Sequence, residues 1–219
     1  MHRLLIVDDH PLYRLALRQT VEAALPGARV DEAGALEPAL AALAAAPDTD
    51  LVLLDLQLPG THGLLALGEL RAAHPGVAVA ILSARDDAAT IRQALAMGAC
   101  GYITKHAATA ELHEGLRALL DGEVWLPAAL RERLARTPRD NAAESMAARL
   151  ASLSPQQLRV LQRVAEGRLN KQIADELGIQ ERTVKAHLTV VFEKLGVRNR
   201  TQAGVLLGSL ALADPSRDA

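Results

Sequence analysis

Five polar residues stand where strand-like runs end. Asp8 and Asp9 follow Leu4–Val7, Asp55 follows Leu51–Leu54, Ser83 follows Val77–Leu82, and Lys105 follows Gly101–Thr104. A lone Asp-Asp pair at a strand end is ordinarily a turn or a helix cap, and a lone Lys or Ser is ordinarily a surface residue. Such residues recurring at one strand end after another argue instead for a shared site. Carboxylates crowded into one pocket repel and raise one another's pKa. A hard divalent cation removes that cost, and an all-oxygen set suits Mg2+. A lysine beside them is a mobile point charge of the kind that suits phosphoryl oxygens. Such a set could hold a divalent cation together with a phosphoryl group.

The elements that must position these residues alternate. Leu4–Val7, Leu51–Leu54 and Val77–Leu82 are short, continuous apolar runs, as expected of strands buried on both faces of a parallel sheet. Arg29–Ala33 and Gly101–Thr104 are weaker strand candidates. Ala- and Leu-rich stretches with helical spacing lie between them, punctuated by Gly27, Pro47, Pro75 and Gly98. The sum is (βα)5, an open parallel sheet with helices on both faces. In strand order 2-1-3-4-5 the first and third strands are neighbours, and ligands bind beyond their carboxyl ends. Asp8, Asp9 and Asp55 then share one pocket.

Composition limits the alternatives. Aromatic residues are only 2% of the 219, so the cores must be aliphatic. The single cysteine, Cys100, excludes an intramolecular disulfide and reads as a small buried hydrophobe. No apolar stretch is long enough to span a membrane, and the N-terminal apolar run is too short for a signal peptide, so a cytoplasmic protein without membrane partners is expected. Charge is unevenly divided: residues 1–121 hold 9 Lys+Arg against 15 Asp+Glu, whereas residues 152–213 hold 9 against 5. An acidic front and a basic back point to two domains, the basic one suited to nucleic acid. The expected boundaries are 1–121, a partly helical linker 122–151 without strand signal, 152–213, and a tail 214–219.

From Ser152 onward the pattern is of short helices. Ser154-Pro155-Gln156-Gln157 is a helix start, with Ser as N-cap, Pro at the first position and Gln three residues after the cap. Gly167 ends that helix. Further helices are expected from Asn170 to Gly178, from about Glu181 to Leu195, and from Asn199 or Thr201 to about Ala213. On the third, Val184, Leu188, Val191 and Leu195 form a core stripe, while Arg182, Lys185, Ala186, Thr189 and Glu193 occupy the opposite face.

The front half resembles a receiver domain. The resemblance lies in Ile6-Val7-Asp8-Asp9-His10-Pro11-Leu12, Leu53-Leu54-Asp55-Leu56 with Pro59-Gly60, Ile81-Leu82-Ser83-Ala84, and Gly98-Ala99-Cys100-Gly101-Tyr102 followed by Lys105. It implies a flavodoxin-like fold in which Asp55 is the nucleophile that takes a phosphoryl group from a histidine kinase. It further implies that Asp9 and Asp55 bind Mg2+ directly with the Gln57 carbonyl, and Asp8 mostly through water. Lys105 would contact the phosphoryl group, Ser83 would hydrogen-bond it, and Tyr102 would rotate inward in response. His10, His62 and His106 show no metal-ligand spacing and read as surface residues.

The back half resembles the LuxR-type helix-turn-helix of the NarL/FixJ subfamily. The carrying text is Leu153-Ser154-Pro155-Gln156-Gln157, Ala165-Glu166-Gly167, Asn170-Lys171-Gln172-Ile173-Ala174, Leu177-Gly178-Ile179, Thr183-Val184-Lys185-Ala186-His187, and Lys194-Leu195-Gly196-Val197 with Asn199-Arg200-Thr201-Gln202-Ala203. It implies a recognition helix whose first turns meet base edges in the major groove. Lys185 suits guanine N7 and O6, Ala186 suits a thymine methyl, and Thr189 shares their face. Arg182, Thr183, Lys171 and Arg200 are placed as phosphate contacts. His187 is balanced between core packing and a phosphate hydrogen bond. Gln180 stands where relatives often carry a serine cap, which predicts a weakly capped start.

Together the two resemblances imply a two-component response regulator, not an enzyme. Its partners would be a sensor histidine kinase, double-stranded promoter DNA and, once phosphorylated, a second copy of the chain. Val205, Leu206 and Leu210 on the last helix are a candidate pairing surface. One rival reading is an aspartyl phosphatase, but that chemistry wants a second Asp two residues after the nucleophile, and the position holds Gln57. Another is a regulator that works without phosphorylation, though every pocket residue is present. Whether the front domain covers the recognition helix is a matter for the structure.

Overall fold

A computed structural model describes residues 2–61, 63–138 and 141–210. Five strands, β1 (Arg3–Val7), β2 (Arg29–Ala33), β3 (Leu51–Leu54), β4 (Ala78–Ser83) and β5 (Gly101–Thr104), form one parallel sheet in the order β2-β1-β3-β4-β5. Every residue of β3 is fully buried, because helices cover both faces of the sheet. Alternate side chains point to opposite faces. Leu4 and Ile6 pack with α1 (Pro11–Ala24) and α5 (Thr109–Leu120). Leu5 and Val7 pack with α2 (Leu36–Ala45), α3 (Leu64–Ala73) and α4 (Ala88–Ala96). Truncating a central residue such as Leu53 to Ala should cost about 2–5 kcal/mol.

The register fixes the site. Val7 pairs with Leu54, so Asp8 and Asp55, each one residue further on, leave adjacent strands at the same level. The Asp55 amide donates to the Val7 carbonyl at 2.8 Å, and the Lys105 amide to the Ser83 carbonyl at 2.8 Å.

Beyond α5 the chain returns to the sheet edge. Trp125 pairs in parallel with Gly101: its amide donates to the Cys100 carbonyl, and its carbonyl accepts from the Tyr102 amide, both at 3.1 Å. A single bridging residue leaves no period-2 pattern, which is why the sequence of this segment carried no strand signal. Two helices follow, α6 (Ala128–Arg136) and α7 (Asn141–Ala151).

The remaining helices are α8 (Pro155–Ala165), α9 (Asn170–Leu177), α10 (Glu181–Leu195) and α11 (Arg200–Leu210). Ser154 and Gln157 form the expected reciprocal capping box on α8. Left-handed Gly178 and Gly196 close α9 and α10. Gln180 makes no side-chain cap on α10, and Asn199 caps α11 by accepting from the Gln202 amide at 2.9 Å.

The two halves of the chain touch. α3 lies against α8, and α4 against α6 and α7. Gly68 on α3 lies at this contact: a β-carbon there would meet Leu158 of α8 at an ordinary 3.5 Å and crowd only Met97, at 3.1 Å. On α6, Arg133 donates to the Asp86 carbonyl at 2.6 Å and pairs with its carboxylate at 2.7 Å. Arg92 of α4 donates to the carbonyls of Leu134 and Thr137 at the end of α6.

Candidate functional site

At the carboxyl end of the sheet the acidic residues meet. Asp8 and Asp55 are fully buried, and Lys105 bridges them, its Nζ 2.6 Å from Asp8 Oδ2 and 2.7 Å from Asp55 Oδ2. The Gln57 amide donates to Asp55 Oδ1 at 3.1 Å. Burial pushes the Asp55 carboxyl above the ordinary aspartate range, although Lys105 and the Gln57 amide pull the other way. Burial also acts to lower the Lys105 ammonium pKa, but its bonds to Asp55 and Asp8 prevail and hold it above the usual lysine value. The proton therefore stays on Lys105 at neutral pH.

The arrangement fits a divalent cation. Three carboxyl groups face one ammonium, which leaves two negative charges uncompensated when all are ionised. Asp8 Oδ2 and Asp9 Oδ1 are buried and receive no well-formed hydrogen bond, only charge contacts from Lys105 and His10. Potential ligand atoms of Asp8, Asp9, His10 and Asp55 all lie within 4.8 Å of one another. The oxygen donors suit a hard ion such as Mg2+.

His10 is a surface residue, as the sequence suggests, but it also reaches the acidic pair. It is exposed, yet its Nδ1 lies 2.7 Å from Asp9 Oδ1 and 3.3 Å from Asp8 Oδ1, and its amide donates to Asp8 Oδ1 at 2.8 Å. His106 is exposed, and His62 lies outside the described residues. Two further neighbours went unnoticed in the sequence. Arg14 donates to the Asp8 carbonyl at 2.5 Å. The Tyr13 ring lies 4.9 Å below the Lys105 ammonium, and burial, with Asp8 and Asp55 nearby, pushes its phenol up to about 12. Pro11 starts α1 one residue after the acidic pair, with His10 at the cap, and so places Tyr13 and Arg14 beside the pocket.

Ser83 and Tyr102 converge on the loop after β4. Ser83 Oγ accepts from the Arg85 amide at 3.2 Å, and the Tyr102 hydroxyl donates to the Arg85 carbonyl at 2.9 Å. Tyr102 is fully buried, so its ring already points inward, and burial raises its phenol pKa.

In the second half, Val184, Leu188, Val191 and Leu195 of α10 are buried and Arg182, Lys185, Ala186 and Thr189 are exposed. Thr183 and His187 are half-buried. Lys185 pairs with Glu181 at 2.8 Å, which holds the Glu181 carboxyl below its ordinary range, with Lys171 adding to the effect. The Thr189 hydroxyl donates to the Lys185 carbonyl at 3.1 Å. Arg200 donates to the Arg168 carbonyl and so braces the α8–α9 loop. The first half of the chain packs on α7 and α8, and the outer face of α10 stays open.

Comparison with known proteins agrees with both constellations. Residues 4–117 match the response regulator receiver domain. Residues 151–207 match the bacterial regulatory proteins of the luxR family. The chain belongs to the NarL/FixJ family of response regulators. The glycerol metabolism activator of Pseudomonas putida is 39% identical over 213 residues, 96% of each chain. The nitrate/nitrite response regulator protein NarL of Escherichia coli K12 is 34% identical over 202 residues, 92% of this chain and 93% of that one. The RcsB response regulator of Salmonella typhimurium shares the fold, with a TM-score of 0.57 at 24% identity over 95% of this chain and all of that one. This response regulator thus pairs a receiver with a LuxR-type DNA-binding domain and regulates transcription; the family is one of regulators, not of enzymes. No described helix is long and apolar enough to cross a membrane.

Proposed function

We propose that a sensor histidine kinase phosphorylates Asp55, and that this controls dimerisation and sequence-specific binding to promoter DNA in the cytoplasm. The observation that carries the reading is the buried carboxylate of Asp55 sharing the Lys105 ammonium with Asp8 at the end of the central strand. An Asp55 oxygen attacks the phosphorus of a phosphohistidine. The new P–O bond forms as the P–N bond breaks, and the departing imidazole nitrogen takes a proton. Asp9 and Asp55, with the Gln57 carbonyl and more distantly Asp8, would hold Mg2+, which when bound neutralises charge on the phosphoryl oxygens. Lys105 moves from bridging two carboxylates to contacting the phosphoryl group. Ser83 hydrogen-bonds the same group, and the loop it shares with Tyr102 adjusts.

The receiver occupies 1–121, the linker 122–151, the DNA-binding domain 152–213 and the tail 214–219. On the DNA side Lys185, Ala186 and Thr189 read bases. Arg182, Thr183, Lys171, Arg200 and His187 hold phosphates, which position the protein without specifying sequence. The exposed α10 face supports this assignment. Acetyl phosphate with Mg2+ tests the whole reading. Intact mass should show one added phosphoryl group on the wild type and none on Asp55→Asn, with a shift toward dimer on labelling. Equal labelling of both proteins would sink the assignment.

A further inference from the structure

The receiver grips the DNA-binding domain within a few residues of Asp55. Gln162 of α8, only 7% exposed, donates from Nε2 to the Gly60 carbonyl at 2.7 Å. One turn earlier on α8, Arg159 pairs with Glu69 of α3 at 2.8 Å, and Glu69 is 4% exposed. Burial raises the Glu69 carboxyl pKa even against Arg159, so this charge depends on its partner. Leu158, fully buried, lies against α3 at Gly68.

The gripped turn is short and stiff. The Thr61 hydroxyl and amide both bond the Leu58 carbonyl, at 2.9 and 3.3 Å, and Gly60 takes φ +70, a conformation L side chains rarely adopt. Its near end is fastened to the pocket, where the Gln57 amide bonds Asp55 Oδ1. Both Asp55 oxygens are thus engaged, one by Gln57 and the other by Lys105. A phosphoryl group on either oxygen displaces one of these contacts, and the turn from Gln57 to Thr61 is the segment that must accommodate it. The same turn is held from the far side by Gln162.

We infer that Gln162 and Arg159, although on the DNA-binding domain, are positioning residues for phosphotransfer: through Gly60 and Glu69 they hold the β3–α3 turn in the unphosphorylated arrangement. The contact leaves the recognition face open, so it acts on the pocket rather than by covering the DNA surface. Coupling between equilibria is reciprocal: to the extent that the grip disfavours the phosphorylated state, phosphorylation weakens the grip. The inference rests on Asp55 being the phosphoacceptor.

The test uses the full chain with acetyl phosphate and Mg2+, following labelling by intact mass. Gln162→Glu keeps the shape but replaces the donor with an acceptor that repels the Gly60 carbonyl. Arg159→Gln removes the charge from a half-exposed position, leaving the core untouched, and Arg159→Lys restores it. With the turn already released in the transition state, Gln162→Glu and Arg159→Gln should label about 5-fold faster or more, the low end of ordinary inter-site coupling, and Arg159→Lys should return toward the wild-type rate. Damage to the pocket itself slows labelling, so a gain, reversed in Arg159→Lys, separates release of the turn from loss of the site. Rates within twofold of wild type, or slower, in Arg159→Gln overturn the inference while leaving Asp55 as acceptor. An unlabelled wild type overturns the acceptor assignment and this inference with it.

Discussion

Lys105 Nζ lies 2.7 Å from Asp55 Oδ2, and both side chains are almost wholly buried. A carboxylate taken out of water with one shared ammonium is held at a cost, which is why burial dominates the shift of Asp55. Ionised Asp55 is therefore held at a cost that a cation bound in the pocket would offset.

Asp55→Asn should consequently raise the melting temperature at pH 7 in the presence of EDTA. The folded-state pKa of Asp55 lies above its unfolded value, so the cost is present while both states are ionised. It fades as pH falls through the folded pKa and is gone below the unfolded one. The advantage of the Asn variant should shrink on acidification over that window. Melts of both proteins at neutral and acid pH check this, and an advantage that grows toward acid would reverse the sign.

Asp9→Ala should abolish Mg2+-dependent phosphorylation. It removes a buried oxygen that has no well-formed hydrogen bond and only a contact from His10. Direct titration of Mg2+ binding, beside the labelling assay, separates lost metal from lost reactivity. Lys105→Ala should still take up phosphate but fail to raise DNA affinity, because the ammonium proposed to contact the phosphoryl oxygens is gone. Unaltered Mg2+ binding in Asp9→Ala would exclude it as a ligand.

The sheet could be read from sequence because runs such as Leu51–Leu54 are buried on both faces, and a hydrophobic run with an abrupt acidic end announces a site. The amphipathic stripe of α10 was equally plain. Glu69, Gln162 and His10 were not. Glu69 and Gln162 are polar residues on helices, and they find their partners only across the contact between the receiver and α8. The role of His10 depends on the turn between β1 and α1, which brings its ring back over Asp9. Trp125 was hidden for a different reason: one residue of bridge has no periodicity.

Gly115→Ala tests how that tryptophan holds the linker to the receiver. A β-carbon at 115 would stand 2.8 to 3.0 Å from three indole carbons of Trp125, which is 7% exposed. Overpacking of this kind costs about 1–3 kcal/mol. Trp125 is the only tryptophan, so its fluorescence reports the site alone and should shift to longer wavelength as the ring is displaced. A melt and an emission spectrum identical to wild type would show that the indole does not occupy this niche.

The open face of α10 makes a prediction about DNA that does not wait on phosphorylation. Because Lys185, Ala186 and Thr189 are exposed in the unphosphorylated arrangement, a single half-site should be bound weakly by either form. An operator with two half-sites should be bound more tightly after phosphorylation, through pairing; Val205, 70% exposed on α11, is one surface for it. Lys185→Ala should reduce discrimination between operator and random DNA by about 1–3 kcal/mol. Arg200→Ala, which removes the brace on Arg168 and the proposed phosphate contact, should weaken both DNAs alike. Glu181→Gln should do the reverse. It frees Lys185 from its ion pair and removes a negative charge from a surface that meets phosphates. Affinity for both DNAs should rise, most at low salt, because fewer ions screen the change. Titrations at two ionic strengths, on intact and half-site operators, check all of these together. A Lys185→Ala variant that loses affinity equally for operator and random DNA would move that lysine from base reading to the phosphate set.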